Sequence, residues 1–158
     1  MPAVSQFCYI LDALAHKDPS MRILEVGAGT GAMTRQIMKT LTSKSSFDGK
    51  EKTASPRYQQ YDYTDVSPFF FNAAQEVYSN QGERMKFRKL DIETDPAQQG
   101  FECGVYDLVV AAAVRSDPAL MNYFRNIMFL LLTWRRQVLH ATSDLANSLK
   151  NCRKLLKP

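Results

Sequence analysis

The sequence predicts an α/β fold in which helices cover both faces of a Rossmann-like, doubly wound and mostly parallel sheet. Strand-like apolar runs alternate with amphipathic helical patterns along most of the 158 residues. A glycine-rich turn follows the first of these strands, and acidic residues close several of them. A hydrophobic content of 45% and a charged content of 23% are ordinary for one globular domain.

The predicted elements follow in an order that joins parallel strands through helices. Pro19 ends the first helix because proline disfavours helical backbone at the residue before it. Ser67 and Pro68 are typical of a helix start. The apolar run from Tyr106 to Ala112 predicts a strand that is covered on both faces. The predicted helices span residues 4–16, 32–41, 69–80 and 144–156, and the predicted strands span residues 23–26, 57–63, 85–90 and 106–112.

The turn after the first strand has glycine at every second position, namely Gly27, Gly29 and Gly31. Glycine is needed where the backbone takes a positive φ, or where a ligand lies against the main chain with no Cβ in the way. The helix that follows begins with unpaired N–H groups. Glu25, near the end of the strand, is placed to accept a hydrogen bond from a hydroxyl or ammonium group of a ligand.

Two classes of cofactor fit this turn. The G-x-G-x-x-G/A pattern of dinucleotide-binding folds is satisfied by Gly27, Gly29 and Ala32. The E-x-G-x-G-x-G turn of class I methyltransferases, which bind S-adenosylmethionine, also accounts for Glu25 and Gly31. The turn by itself favours the methyltransferase, and a glycine-rich turn without a ligand is the third interpretation.

Acidic residues lie at or near the ends of three successive predicted strands, at Glu25, Asp65 and Asp91. The carboxyl ends of parallel strands meet at one edge of the sheet, where ligands of doubly wound folds bind. One acid at this edge is commonplace, whereas three of them behind a glycine turn indicate a ligand site.

Charge and cysteine content exclude several other classes of function. The net charge is only +4, and the basic residues are scattered among acidic ones. We therefore expect no nucleic-acid partner. Three widely spaced cysteines argue against a disulfide framework and against a zinc site, so no metal is expected. No signal-peptide pattern is present, and the apolar runs, such as residues 127–132, are too short to span a membrane. The expected location is the cytoplasm, with no membrane partner.

Taken together, the motifs resemble a known family, the class I S-adenosylmethionine-dependent methyltransferases. More specifically, the chain is similar to the C-methyltransferase domain of fungal-type iterative (reducing) polyketide synthases. The segments that carry the resemblance are H-K-D-P at 16–19, residues 23–31, Y-D-Y-T-D-V-S at 61–67, L-D-I-E at 90–93, Q-G-F-E at 99–102, Y-D-L-V at 106–109, V-L-H-A-T at 138–142 and R-K-L-L-K-P at 153–158.

The resemblance implies a set of cofactor-binding residues. The glycine turn would hold the methionine part of S-adenosylmethionine, and Asp65 would accept hydrogen bonds from both ribose hydroxyls. Asp62 competes for this role, but D-x-S-P before a helix favours Asp65. Asp91 would meet the adenine amino group, and Ile92 would line the adenine ring. The predicted cofactor-binding residues are Glu25, Gly27, Ala28, Gly29, Gly31, Asp65, Val66, Asp91 and Ile92.

The resemblance also implies a reaction and its partners. His140, in the V-L-H-A-T motif, would be the catalytic base that removes a proton from the α-carbon of a β-ketoacyl chain. A neutral imidazole suits this task because its pKa lies near the working pH. The substrate would be carried on an acyl carrier protein, and other polyketide synthase domains are possible partners.

The chain departs from the family pattern at two places. Residues 114–137 separate D-L-V-V-A-A-A from V-L-H-A-T, so we predict an insertion that is either a translated intron or a lid with a helix over residues 119–134. The sequence ends at L-L-K-P, where the family continues into a fifth strand. We therefore expect residues 1–158 to be a partial methyltransferase domain with an open sheet edge at the fourth strand and impaired activity.

Three other functions stay open from the sequence. The chain could be a non-catalytic remnant that binds the cofactor or packs against a partner. It could instead be an O- or N-methyltransferase that acts on a small molecule or a protein. A nicotinamide oxidoreductase is less favoured, because the acid of the second strand follows the glycine turn at a greater distance than the dinucleotide pattern requires.

Overall fold

The computed structural model describes residues 2–42, 55–111, 130–131 and 145–158. The helices are α1 (Pro2–Lys17), α2 (Ala32–Leu41), α3 (Phe71–Val77) and α4 (Leu145–Leu155). The strands are β1 (Arg22–Val26), β2 (Gln60–Asp65), β3 (Met85–Lys89), β4 (Leu108–Ala111) and β5 (Leu130–Leu131). Short 3-10 turns lie at Pro68–Phe70, Ser79–Arg84 and Pro96–Gln99.

The strands form one sheet in the order β3-β2-β1-β4-β5. Strands β1 to β4 pair in parallel, and β5 pairs antiparallel to β4. The chain moves outward from β1 to β2 and β3, and then returns to place β4 on the other side of β1. The strand order therefore reverses at β1, which is the point where doubly wound sheets bind ligands. The predicted Rossmann-like fold is confirmed.

Each face of the sheet carries its own hydrophobic core. Alternation along β1 places Ile23 on one face and Leu24 on the other. The first core packs against α1 and α2, through residues such as Leu11 and Ile37. The second core packs against α4 through Cys152. Because both faces are covered, all of β4 is buried, as the continuous apolar run predicts.

Two predicted boundaries are wrong for local reasons, one in hydrogen bonding and the other in backbone conformation. Strand β2 begins at Gln60 rather than at Arg57, because the backbone N–H of Arg57 donates to the Leu41 carbonyl and its guanidinium binds Asp12. The helix predicted over 69–80 is divided into a 3-10 turn, α3 and a second 3-10 turn. The division falls at Tyr78, whose φ of −106° and ψ of 19° lie outside regular helical backbone.

Two residues of the block 114–137 lie among those described. Leu130 and Leu131 pair with Ala111 and Val110 of β4. The alternative of a helix over 119–134 is therefore wrong at these two positions, and the predicted open edge is covered at this part of β4. The pairing satisfies backbone N–H and C=O groups that an edge strand would otherwise expose. In the described ranges, no helix combines the length and apolar character needed to cross a membrane.

Candidate cofactor-binding site

The glycine turn joins the end of β1 to the start of α2 and presents bare backbone. Gly27, Gly29 and Gly31 all have positive φ, of +67°, +53° and +74°. The N–H of Ala28 donates to the Thr64 carbonyl at 2.9 Å, which ties the turn to the end of β2. A Cβ built on Gly27 would meet no atom of the described residues within 4 Å. The turn therefore has open space beside it, which a ligand can enter.

Asp65, the last residue of β2, lies against this turn. Its Oδ2 accepts the N–H of Gly29 at 2.9 Å, and its Oδ1 accepts the N–H of Ser67 at 2.8 Å. The residue is largely buried, at 7% exposed, and these two hydrogen bonds hold its carboxylate in place. An ionised carboxylate has about four acceptor positions, so each oxygen keeps capacity for a ligand. The structure thus brings two predicted site residues, Gly29 and Asp65, into direct contact.

Asp62, the competing candidate, points to the opposite face of the sheet. It is fully buried, and it accepts hydrogen bonds from Tyr106 at 2.5 Å and from Gln60 at 2.6 Å. Arg88 forms an ion pair with it at 3.6 Å. Two strand positions that differ by an odd number face opposite sides, which explains the different surroundings of the two acids. Asp62 thus supports the core, whereas Asp65 reaches the carboxyl edge.

Asp91 and Ile92 follow β3 at the same edge of the sheet as Asp65. The N–H of Leu90 donates to the Asp65 carbonyl at 3.0 Å, so the ends of β2 and β3 are joined. Asp91 is half-buried, and its Oδ1 accepts the N–H of Glu93 at 2.9 Å. Ile92 is 7% exposed and packs in the second core. Its predicted contact with a ligand ring stays a prediction.

Val66, the next predicted residue along the chain, lies directly after Asp65. It is 59% exposed, and Phe69 in the following 3-10 turn is 84% exposed. Apolar side chains of this size are usually buried, and a contiguous exposed apolar patch often marks a binding surface. The exposed side chain of Val66 is thus accessible beside Asp65, and its predicted contact with a ligand stays a prediction.

Glu25 lies beneath the glycine turn. The residue is fully buried, and its Oε2 accepts hydrogen bonds from Thr34 of α2 at 2.6 Å and from Tyr61 at 2.5 Å. Its Oε1 has no hydrogen-bond partner among the described residues. The carboxylate therefore links β1, β2 and the first turn of α2 from inside the core. Its predicted contact with a ligand stays a prediction.

Two further residues support the turn and were missed from the sequence. Tyr63 donates its hydroxyl to the Gly29 carbonyl at 2.5 Å, and Tyr61 binds Glu25. Burial raises the pKa of Tyr61 well above its usual value of 10, so this hydroxyl remains a donor. The sequence contained a signal for these two tyrosines, because side chains alternate along a strand and residues 61, 63 and 65 therefore share one face of β2.

Burial has a consequence for the pH dependence of stability, since it raises the pKa of Glu25 from 4.5 to about 6 despite hydrogen bonds from Thr34 and Tyr61. The folded protein then holds this proton more tightly than the unfolded chain does. The resulting stability is present below pH 4.5 and is lost as the pH rises through about 6. We expect the free energy of unfolding, measured relative to that of Glu25→Gln, to fall by about 2 kcal/mol across this range.

Urea unfolding of both proteins at several pH values between about 4 and about 8 measures this difference. Glutamine has nearly the same shape as glutamate but does not titrate, so other ionisable groups contribute equally to both proteins. A difference that does not vary with pH would contradict the burial of an ionisable group at position 25.

His140, the predicted base, lies outside the described residues, and its role stays a prediction. All the other predicted site residues are described. The backbone turn and the Asp65 and Asp91 carboxyl groups lie at the carboxyl edge of the sheet, while Glu25 supports the turn from below.

Comparison with known proteins places the chain in a family. A family profile described as a methyltransferase domain matches residues 24–131. The highly reducing polyketide synthase NEC1 of Pyricularia oryzae is 41% identical over 154 residues, which are 98% of this chain and 4% of that protein. The chain therefore spans only a small part of this relative's length.

Solved structures show the same likeness. The trans-methyltransferase CalH, in complex with SAH, is 34% identical with a TM-score of 0.67, over 94% of this chain and 32% of CalH. The CurJ carbon methyltransferase is 30% identical with a TM-score of 0.58, over 89% of this chain and 27% of CurJ. The family profile covers the larger part of the chain, including the end of β1, the glycine turn and Asp65. The chain belongs to the methyltransferase domain family, as its motifs predict.

Proposed function

We propose that this chain binds S-adenosylmethionine and serves in C-methylation of the α-carbon of a β-ketoacyl chain on an acyl carrier protein during polyketide biosynthesis. The observation that carries the proposal is the contact of the Asp65 carboxylate with the Gly29 N–H inside an open glycine turn. A ribose presents two neighbouring hydroxyls, and one carboxylate can accept from both. Similarity to NEC1 and to CalH supports the same assignment.

The residues of the site fit this cofactor. Gly29 has a φ of +53°, which L side chains rarely adopt, so glycine at this position lets the backbone N–H reach Asp65 Oδ2. The turn would take the methionine part of the ligand, Asp65 the ribose, and Asp91 with Ile92 the adenine. When bound, S-adenosylmethionine would supply its methyl group as an electrophile, because its sulfur carries a positive charge.

We propose His140 as the base that removes the α-proton of the substrate, on the strength of the V-L-H-A-T motif. A general base must lie within hydrogen-bond reach of the proton that it removes. The acyl carrier protein and other polyketide synthase domains are the proposed partners, and the cytoplasm is the proposed location. The three cysteines are free thiols, which agrees with a reducing compartment.

For the domain organisation, we propose a methyltransferase unit over residues 1–158, interrupted by an insertion at 114–137. The flanking segments, residues 107–113 and 138–142, join without loss into the D-L-V-V-A-A-A-V-L-H-A-T string of the family, which supports this proposal. Sequencing the transcript distinguishes a translated intron from a genuine insertion: a message without this block would identify an intron.

Ligand binding tests the proposed function. We expect calorimetry of the full chain to show binding of S-adenosylmethionine and of S-adenosylhomocysteine but no binding of NAD. Binding of NAD without either of the other two ligands would contradict the proposal and favour an oxidoreductase. Methyl transfer to a β-ketoacyl carrier-protein thioester, followed by mass spectrometry, tests the acceptor. Transfer to oxygen or nitrogen acceptors alone would contradict the C-methylation.

A further inference from the structure

Two side-chain amides hold the loop that carries Asp91, and neither is among the predicted cofactor-binding residues. Gln99 lies in the 3-10 turn after this loop, and Asn151 lies in α4. We propose that Gln99 and Asn151 are positioning residues that orient Asp91 and the Ile92 backbone toward the base of the nucleoside. The inference rests on the proposed function, because it assigns the adenine end of the same site.

Gln99 binds both backbone groups of Asp91. Its Oε1 accepts the N–H of Asp91 at 2.8 Å, and its Nε2 donates to the Asp91 carbonyl at 2.8 Å. The same Nε2 donates to the Thr94 hydroxyl at 2.8 Å. Two bonds to one residue fix the peptide groups on both sides of its Cα, and therefore the direction of its side chain.

Asn151 reaches the same loop from the other side. It is 2% exposed, and its Nδ2 donates to the carbonyls of Ile92 and Thr94, both at 2.9 Å. Asn147, one helical turn earlier, donates to the Glu93 carbonyl at 2.5 Å. The bond to the Ile92 carbonyl is buried, where a carbonyl without a donor is unfavourable, and the other bonds hold the carbonyls of residues 93 and 94.

The fixed loop leaves the Asp91 carboxyl group in one orientation. Its Oδ1 accepts the Glu93 N–H at 2.9 Å, while Oδ2 makes no hydrogen bond with the described residues. The side chain therefore has an acceptor oxygen to offer at the carboxyl edge of the sheet. An amino group on an adenine ring is a donor of matching chemistry. The amides act through Asp91 and do not themselves contact the ligand.

The test compares two ligands on the full chain. One is S-adenosylhomocysteine, and the other is an analogue that carries unsubstituted purine in place of adenine and so lacks the amino group. We expect the native chain to prefer S-adenosylhomocysteine. In Gln99→Met and in Asn151→Leu, we expect the affinity for S-adenosylhomocysteine to fall about tenfold, equivalent to about 1.4 kcal/mol. The affinity for the purine analogue should change by less than about twofold.

The neighbouring Gln98 provides the matched control. Its side chain is exposed, and Gln98→Met makes the same chemical change one residue away. We expect this variant to keep the affinities and the ligand preference of the native chain. Thermal unfolding of every variant separates a loss of folded protein from a loss of recognition.

The outcomes separate the two proposals. A native chain that binds neither ligand contradicts the proposed function, and the positioning role fails with it. A native chain that prefers S-adenosylhomocysteine, together with variants that keep this preference or lose both ligands equally, overturns the positioning role only. Collapse of the preference in both variants, with Gln98→Met unchanged, supports it.

Discussion

Asp65→Ala is expected to lower the affinity for S-adenosylhomocysteine by about 100-fold or more. Hydrogen bonds to a charged group contribute about 1.5–3 kcal/mol each, and the proposed site uses two of them on the ribose. The change also removes the acceptor of the Gly29 N–H, which lies in the turn that would bind the rest of the ligand. Titration calorimetry of the native and variant chains measures the loss.

Asp62→Asn is the matched control for this change. Asp62 lies in the same strand, but it is buried on the opposite face with Tyr106 and Gln60. We expect this variant to unfold more easily and to keep an affinity within about threefold of the native value, since it touches no part of the proposed site. Equal losses of affinity in both variants would show that Asp65 acts only through the fold, and would contradict its role in binding.

His140→Ala is expected to lower the rate of methyl transfer by about 10²–10⁴-fold, the range that a general base contributes. The affinity for S-adenosylhomocysteine should change by less than about twofold, because the proposed base acts on the acyl substrate. Exchange of the α-proton into D₂O, followed with S-adenosylhomocysteine bound, measures the proton-removal step without methyl transfer. This exchange should be lost in the variant and partly restored by added imidazole.

His16, the other histidine of the chain, provides the control for that experiment. It is exposed near the end of α1, and His16→Ala makes the same chemical change away from the V-L-H-A-T motif. We expect native rates of exchange and transfer in this variant. Native exchange in His140→Ala would contradict its assignment as the base and move the search to another residue.

Much of the site could be predicted because its features are local in sequence. Three alternating glycines specify a turn with positive φ, and the structure shows positive φ at each of them. The D-x-S-P pattern separates Asp65 from Asp62 because it places one acid at a strand end before a helix. The role of Glu25 was harder to predict, since a strand-end acid can face either the open turn or the core.

By itself, the sequence determined the order of strands and helices, the position of the glycine turn and the acids at the strand ends, because each depends on residues close together in the chain. Only the tertiary structure decided which groups surround those acids. Asp65 meets a backbone N–H that lies 36 residues away, and Asn151 binds a carbonyl 59 residues away. No short pattern encodes such contacts, because they form only where sheet pairing and helix packing bring distant segments together.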